Sequence, residues 1–209
     1  MQALPSLNYI YADETGRIAF WHNGTYPKRA SGYDWKGLLP GDTSATLWTE
    51  FLPYDAVPKI VDPRSGFVAN ANSTPFLATG PRDQLKESDF APEMGFDTRL
   101  TNRNLRLIEL LGNDPEITDE EFIAYKMDVT YAPHSEMGKF VAEVKAMDFS
   151  GDPLLQEAQR VLAAWDLRAT QDSTATALAL MAATPVVVPT LMGKPRGDAR
   201  KYLRLAAEQ

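Results

Sequence analysis

The period of apolar and polar positions changes along the chain and divides it. Leu7–Asp13 and Arg17–His22 are rich in aromatic and β-branched residues, and Asp13-Glu14-Thr15-Gly16 supplies turn chemistry between them, so a β-hairpin is predicted. From Tyr26 to Pro63 prolines and glycines recur too often for long regular elements, which predicts an ordered excursion over a surface. A short strand is expected to resume over Gly66-Phe67-Val68-Ala69-Asn70-Ala71-Asn72 and to break at Ser73-Thr74-Pro75.

The rest reads as helices. Near Arg99, Leu100, Leu107, Ile108 and Leu111 recur at helical spacing, with Gly112-Asn113 as a stop. Thr118 with Glu121 makes a capping box for a second helix, in which Phe122, Ile123, Met127 and Tyr131 can share a face. Further helices are expected over Pro153–Trp165 and Ala175–Ala183, with Pro185–Pro195 as an apolar, proline-punctuated connector and a last helix opened by Gly197-Asp198. Strands followed by helices indicate an α+β fold, with a strand and loop segment over residues 1–82 and a helical segment over 83–209. A hairpin and one remote strand make a poor independent sheet, so partner strands are expected elsewhere.

Composition narrows the class. With 209 residues, 44% hydrophobic and 23% charged, the chain can bury a core and is globular in composition. A net charge of -7 argues against nucleic acid and anionic membranes as partners. The absence of cysteine excludes disulfides, thiolate metal sites and a cysteine nucleophile. There is no apolar run of membrane-spanning length, and Met1-Gln2-Ala3-Leu4-Pro5 lacks the features of a signal peptide.

Self-contained catalytic machinery is not evident. The two histidines have bland readings: His22, beside Asn23-Gly24, as a strand-end residue and His134, in Ala132-Pro133-His134-Ser135, as a helix-end residue. Asp119, Glu120 and Glu121 fit a helix first turn, where unpaired backbone N–H groups favour negative charge. Asn72 by itself could cap a turn, or accept a glycan in Asn72-Ser73-Thr74.

Three runs in order change this picture: Asn8-Tyr9-Ile10-Tyr11-Ala12-Asp13-Glu14-Thr15-Gly16-Arg17-Ile18, then Trp48 with Leu52-Pro53-Tyr54-Asp55, then Pro63-Arg64-Ser65-Gly66-Phe67 leading to Asn70-Ala71-Asn72. Together they resemble the penicillin amidase family of N-terminal-nucleophile hydrolases, and weaker similarity through Arg99–Leu111, Tyr125–Asp128 and Leu162–Asp166 extends it over nearly the whole chain. Asn-Ala-Asn is closer to the aculeacin and acyl-homoserine-lactone acylase side of the family than to the penicillin G side.

The resemblance implies part of an αββα core and hydrolysis of an N-acyl amide through an acyl-enzyme on an N-terminal serine. That serine is not in this chain. The segment is thus expected to be an internal, by itself inactive piece of the catalytic chain, partnered by the rest of its precursor and by an N-acyl small molecule, in a periplasmic or secreted enzyme. By the same resemblance Asn72 donates its amide to the oxyanion, Arg99 supports it, and Asp89 corresponds to a calcium ligand, with Trp35 near a carbonyl ligand; no cofactor is required beyond such a structural calcium. The alternative is a non-catalytic module that binds a ligand or partner through its aromatics Tyr9, Tyr11, Phe20, Trp21, Tyr26, Tyr33 and Trp35.

Overall fold

The computed structural model describes residues 4–209, Leu191 by its backbone only; Met1-Gln2-Ala3, read above for a signal peptide, lie outside them. The fold is α+β, and by internal contacts the chain forms two compact units, Met1–Ile117 and Thr118–Gln209.

In the first unit strands β1 (Asn8–Ala12), β2 (Ile18–His22) and β3 (Lys59–Val61) form an antiparallel sheet in that order. The turn carries local instructions: Asp13 Oδ1 accepts from Thr15 N at 2.9 Å and Arg17 N at 3.1 Å, and Gly16 takes the left-handed φ of 84° that the reversal needs. This turn sets the register Ala12↔Ile18 through Asn8↔His22. In β2 both Ala19 and Phe20 are buried, and Phe20 packs with Ile60 and Ala78 in a small core flanked by Val68 and Leu85.

The expected strand over Gly66–Asn72 does not form; the sheet takes Lys59–Val61 instead. Lys59-Ile60-Val61 can bury Ile60 against Phe20 and pair with Ala19–Trp21, whereas the later segment is held by single bonds, Ala69 N to Ala78 O at 2.8 Å and Thr79 Oγ1 to Phe67 O at 2.7 Å. With no strand there, no pleat alternation directs the side chains of Asn70 and Asn72.

The excursion after Tyr26 is ordered by a cation and two indoles. Arg29 lies 5.5 Å from the Trp35 ring and 5.4 Å from the Trp48 ring, and its Nη1 donates to Glu93 O at 2.7 Å, so one side chain ties three stretches of irregular chain. Helix α1 (Asn102–Gly112) completes the unit, capped by Thr101, whose hydroxyl accepts from Asn104 N. Asn104 is buried and donates to Leu77 O at 3.4 Å, which seats the start of α1 beside the 70–77 loop.

The second unit contains α2 (Asp119–Lys126), α3 (Glu136–Ala146), α4 (Pro153–Ala164), α5 (Thr174–Leu191) and α6 (Ala199–Ala207). The Thr118–Glu121 capping box is present, but the face expected to be apolar and shared is not packed: Phe122, Ile123 and Met127 are exposed. Helix α3 was not foreseen, although Met137, Phe140, Val141 and Val144 have helical spacing and Ser135 caps them; His134 precedes that cap. Phe140, Val144, Leu155, Leu162, Val186 and Leu203 are fully buried in one core. Gln159 Nε2 donates to the carbonyls of Val144, Lys145 and Met147, which satisfies the C-terminal end of α3.

The connector expected over Pro185–Pro195 is corrected in the same way. Helix α5 runs through Pro185 and Pro189 to Leu191, because Ala179, Ala182, Ala183 and Val186 are buried and their burial outweighs the local cost of the prolines. Gly197 N donates to Val186 O at 3.2 Å; a Cβ at Gly197 would stand 2.5 Å from Pro185 O, so only glycine permits this approach.

Candidate active site

The Asn70-Ala71-Asn72 segment lies in the first unit between the β1–β2 hairpin and the start of α1. Asn72 is left-handed, with φ 56°, a conformation asparagine tolerates better than most residues. Its backbone N–H donates to Asn70 Oδ1 at 2.9 Å, so the first asparagine of the motif caps the second. Pro75 opens a 3-10 turn over Pro75–Leu77, capped by Thr74, that closes the loop.

The Asn72 side chain is exposed, and Arg103 Nη2 reaches its Oδ1 at 3.4 Å while bonding Ala71 O at 2.8 Å. The second bond is short and the first long, so the guanidinium is anchored on the backbone and biases the carboxamide electrostatically. Arg103 therefore places its charge on the oxygen side of the amide. Among the described residues Asn72 Nδ2 has no hydrogen-bond partner and is available to an acceptor outside the chain.

Further polar groups stand behind this loop. Asn8 Nδ2 donates to Asn70 Oδ1 at 2.8 Å and to Ser73 O at 3.2 Å, and Asn8 Oδ1 lies 2.5 Å from His22 Nδ1. His22 is half-buried; its ring stacks with Tyr26 at 6.4 Å and meets Phe96 edge-on at 5.5 Å. Burial holds the His22 pKa below its ordinary value, and burial pushes the Tyr26 phenol up to about 12, so both are neutral at neutral pH.

Arg99 lies just before the cap of α1 and turns back on Asp97, with Nε 3.0 Å and Nη2 2.6 Å from Asp97 Oδ2. The arginine at Asn72 is Arg103, one turn further on. Nothing in the local pattern distinguishes the two, since the contact joins residues 31 apart in sequence. Asn8, which bonds the loop, and His22, which meets Asn8, are a cross-strand pair set by the hairpin turn.

Asp89 is exposed in a 3-10 turn, Glu87–Asp89. Among the described residues no group of three or more His, Asp or Glu side chains converges around it. Trp35, the other resemblance-based candidate there, donates its Nε1–H to Ala30 O at 2.9 Å.

A thermostable penicillin G acylase from Alcaligenes faecalis superposes with a TM-score of 0.58, covering 96% of this chain and 45% of its own at 15% identity, so the fold is shared with part of that hydrolase. The family model for penicillin amidase matches residues 1–201, and the chain belongs to the penicillin amidase family. Penicillin G acylase of Escherichia coli is 43% identical over 120 residues, 57% of this chain and 13% of that protein. The penicillin acylase 2 proenzyme of a Pseudomonas species (strain SE83) is 25% identical over 161 residues, 77% of this chain and 19% of its own length. The chain thus spans less than a fifth of the curated relatives it matches.

Proposed function

We propose that this chain is part of an N-acyl amide hydrolase of the penicillin, aculeacin or acyl-homoserine-lactone acylase kind, acting through an acyl-enzyme. The carrying observation is the Asn72 carboxamide: its oxygen faces Arg103, its backbone is held left-handed by Asn70, and its Nδ2 hydrogens have no partner among the described residues. A donor so held can meet charge on a reacting oxygen with little reorganisation.

In this reading the precursor's remaining chain supplies the serine. Its hydroxyl proton passes to that serine's own free α-amine as its oxygen bonds to the substrate carbonyl carbon, and the carbonyl oxygen takes up negative charge, to which Asn72 Nδ2–H donates. Collapse breaks the C–N bond, the amine leaves with a proton, and water releases the acid from the ester. The strands β1–β3 belong to a larger αββα sheet completed by the same precursor; one relative is itself named a proenzyme. The resemblance gives the supporting role to Arg99, and the hydrogen bonds favour Arg103. By the same resemblance Asp89 is offered as one ligand of a structural calcium, the rest of the precursor contributing further oxygens. A periplasmic or secreted location accords with the family, and among the described residues no helix is long and apolar enough to cross a membrane.

In the full-length protein, Asn72→Ala should lower kcat on an N-acyl-4-nitroanilide or penicillin G by about 100- to 1,000-fold with KM little changed. Near-normal kcat would remove the role. The isolated 209-residue chain should not turn over either substrate. A second reading, a partner-binding module, is favoured by exposed Leu38, Leu47, Trp48 and Phe51 on the excursion; a natural translation start at Met1, without an upstream serine-led chain, would support it.

A further inference from the structure

Two backbone groups in the Asn72 loop cannot change character. Asn72 N–H is a donor and Ser73 C=O is an acceptor. Asn72 N–H meets Asn70 at 2.9 Å, so the Asn70 atom there is its oxygen. The Asn8 atom that lies 2.8 Å from that oxygen and 3.2 Å from Ser73 O must then be nitrogen, because an oxygen would face two acceptors. Asn8 Oδ1 is thereby left toward His22, and the ring nitrogen 2.5 Å away, Nδ1, must carry a hydrogen. The amide orientations and the imidazole hydrogen are all dictated from the loop outward.

The same chain of bonds runs in the other direction as a constraint. Asn8 brackets Asn72, with one bond to the residue two before it and one to the residue after it. His22 lies opposite Asn8 in the hairpin register, with its ring set between Tyr26 and Phe96, so its Nδ1 has a defined direction. We propose that His22, acting through Asn8 and Asn70, is a positioning residue: its Nδ1–H selects the one Asn8 orientation that holds Asn72 left-handed with its side chain presented to the reacting oxygen. This rests on the reading of Asn72 as oxyanion donor. His22 exchanges no proton with substrate.

The test is a set of variants in the full-length enzyme with N-phenylacetyl-4-nitroanilide as probe. His22→Leu removes the donor and should lower kcat about three- to tenfold with KM within twofold. His22→Asn, whose Nδ2 can stand where Nδ1 stood, should restore most of that loss. In an Asn72→Ala background His22→Leu should cost nothing further, since the relay then has no amide to aim. Asn8→Asp, of the same shape, keeps an acceptor for His22 and loses both donations; it should lower kcat at least as much, and serves where His22→Leu fails to fold or mature. An undiminished kcat in Asn8→Asp overturns the relay, as does an equal loss from His22→Leu with and without Asn72, or no rescue by His22→Asn. In those cases Asn72→Ala is still crippled and the oxyanion reading stands. Near-normal kcat in Asn72→Ala alone overturns that reading and the relay with it.

Discussion

Arg99 and Arg103 can be set against each other directly. Arg103 Nη2 holds Ala71 O at 2.8 Å and approaches Asn72 Oδ1 at 3.4 Å, whereas Arg99 is paired with Asp97. Arg103→Met keeps the aliphatic stem and deletes both contacts. A charged hydrogen bond contributes about 1.5–3 kcal/mol, and the exposure of Arg103 argues for a value at or below the lower end, about 1–1.5 kcal/mol. If the whole loss appears as misplacement of the Asn72 amide in the transition state, kcat falls by about 5- to 13-fold. The ceiling is what Asn72 itself supplies, about 2.7–4 kcal/mol for one oxyanion donor. Steady-state kcat and KM of Arg103→Met, Arg99→Met and Asn72→Ala in the full-length enzyme decide the matter. The expected pattern is a kcat loss for Arg103→Met with KM nearly unchanged, and a much smaller loss for Arg99→Met. A kcat within twofold for Arg103→Met beside a large loss for Arg99→Met would refute the geometric reasoning and return the role to Arg99.

Two further predictions concern the scaffold. Hydrogen bonds from Thr15, and then from Tyr11, lower the Asp13 pKa to about 2. A depressed carboxylate stabilises the fold fully above its unfolded value near 4, and that contribution is lost as pH falls through about 2. The stability gap between the parent and Asp13→Asn should therefore close over that window in melting experiments; a gap independent of pH would refute the assignment. On α6, Leu203→Ala empties a fully buried position and should cost about 2–5 kcal/mol in urea unfolding, whereas exposed Leu205→Ala should cost less than about 0.5 kcal/mol. Equal shifts would mean that the core is not where the structure puts it.

The sequence by itself determined what depends on near neighbours. Asp13 and Gly16 specify the hairpin turn, and that turn fixes Asn8 against His22. Thr118 with Glu121 starts α2, the ordered motifs around Asn70-Ala71-Asn72 carried the family, and the order of strands before helices carried the α+β class. Only the tertiary structure decided what depends on burial or on distant partners. Pro185 and Pro189 read as breaks because helix propensity is local, yet the apolar residues around them are buried and the helix continues. Phe122 and Ile123 read as a packed face because periodicity says where an apolar surface lies and not whether anything covers it. The third strand and the arginine at Asn72 were settled by contacts across many residues, such as Arg103 with Asn72, for which no spacing within a helix or strand supplies a signal. Local rules set φ, ψ and face; which surfaces meet is decided by packing of the whole unit.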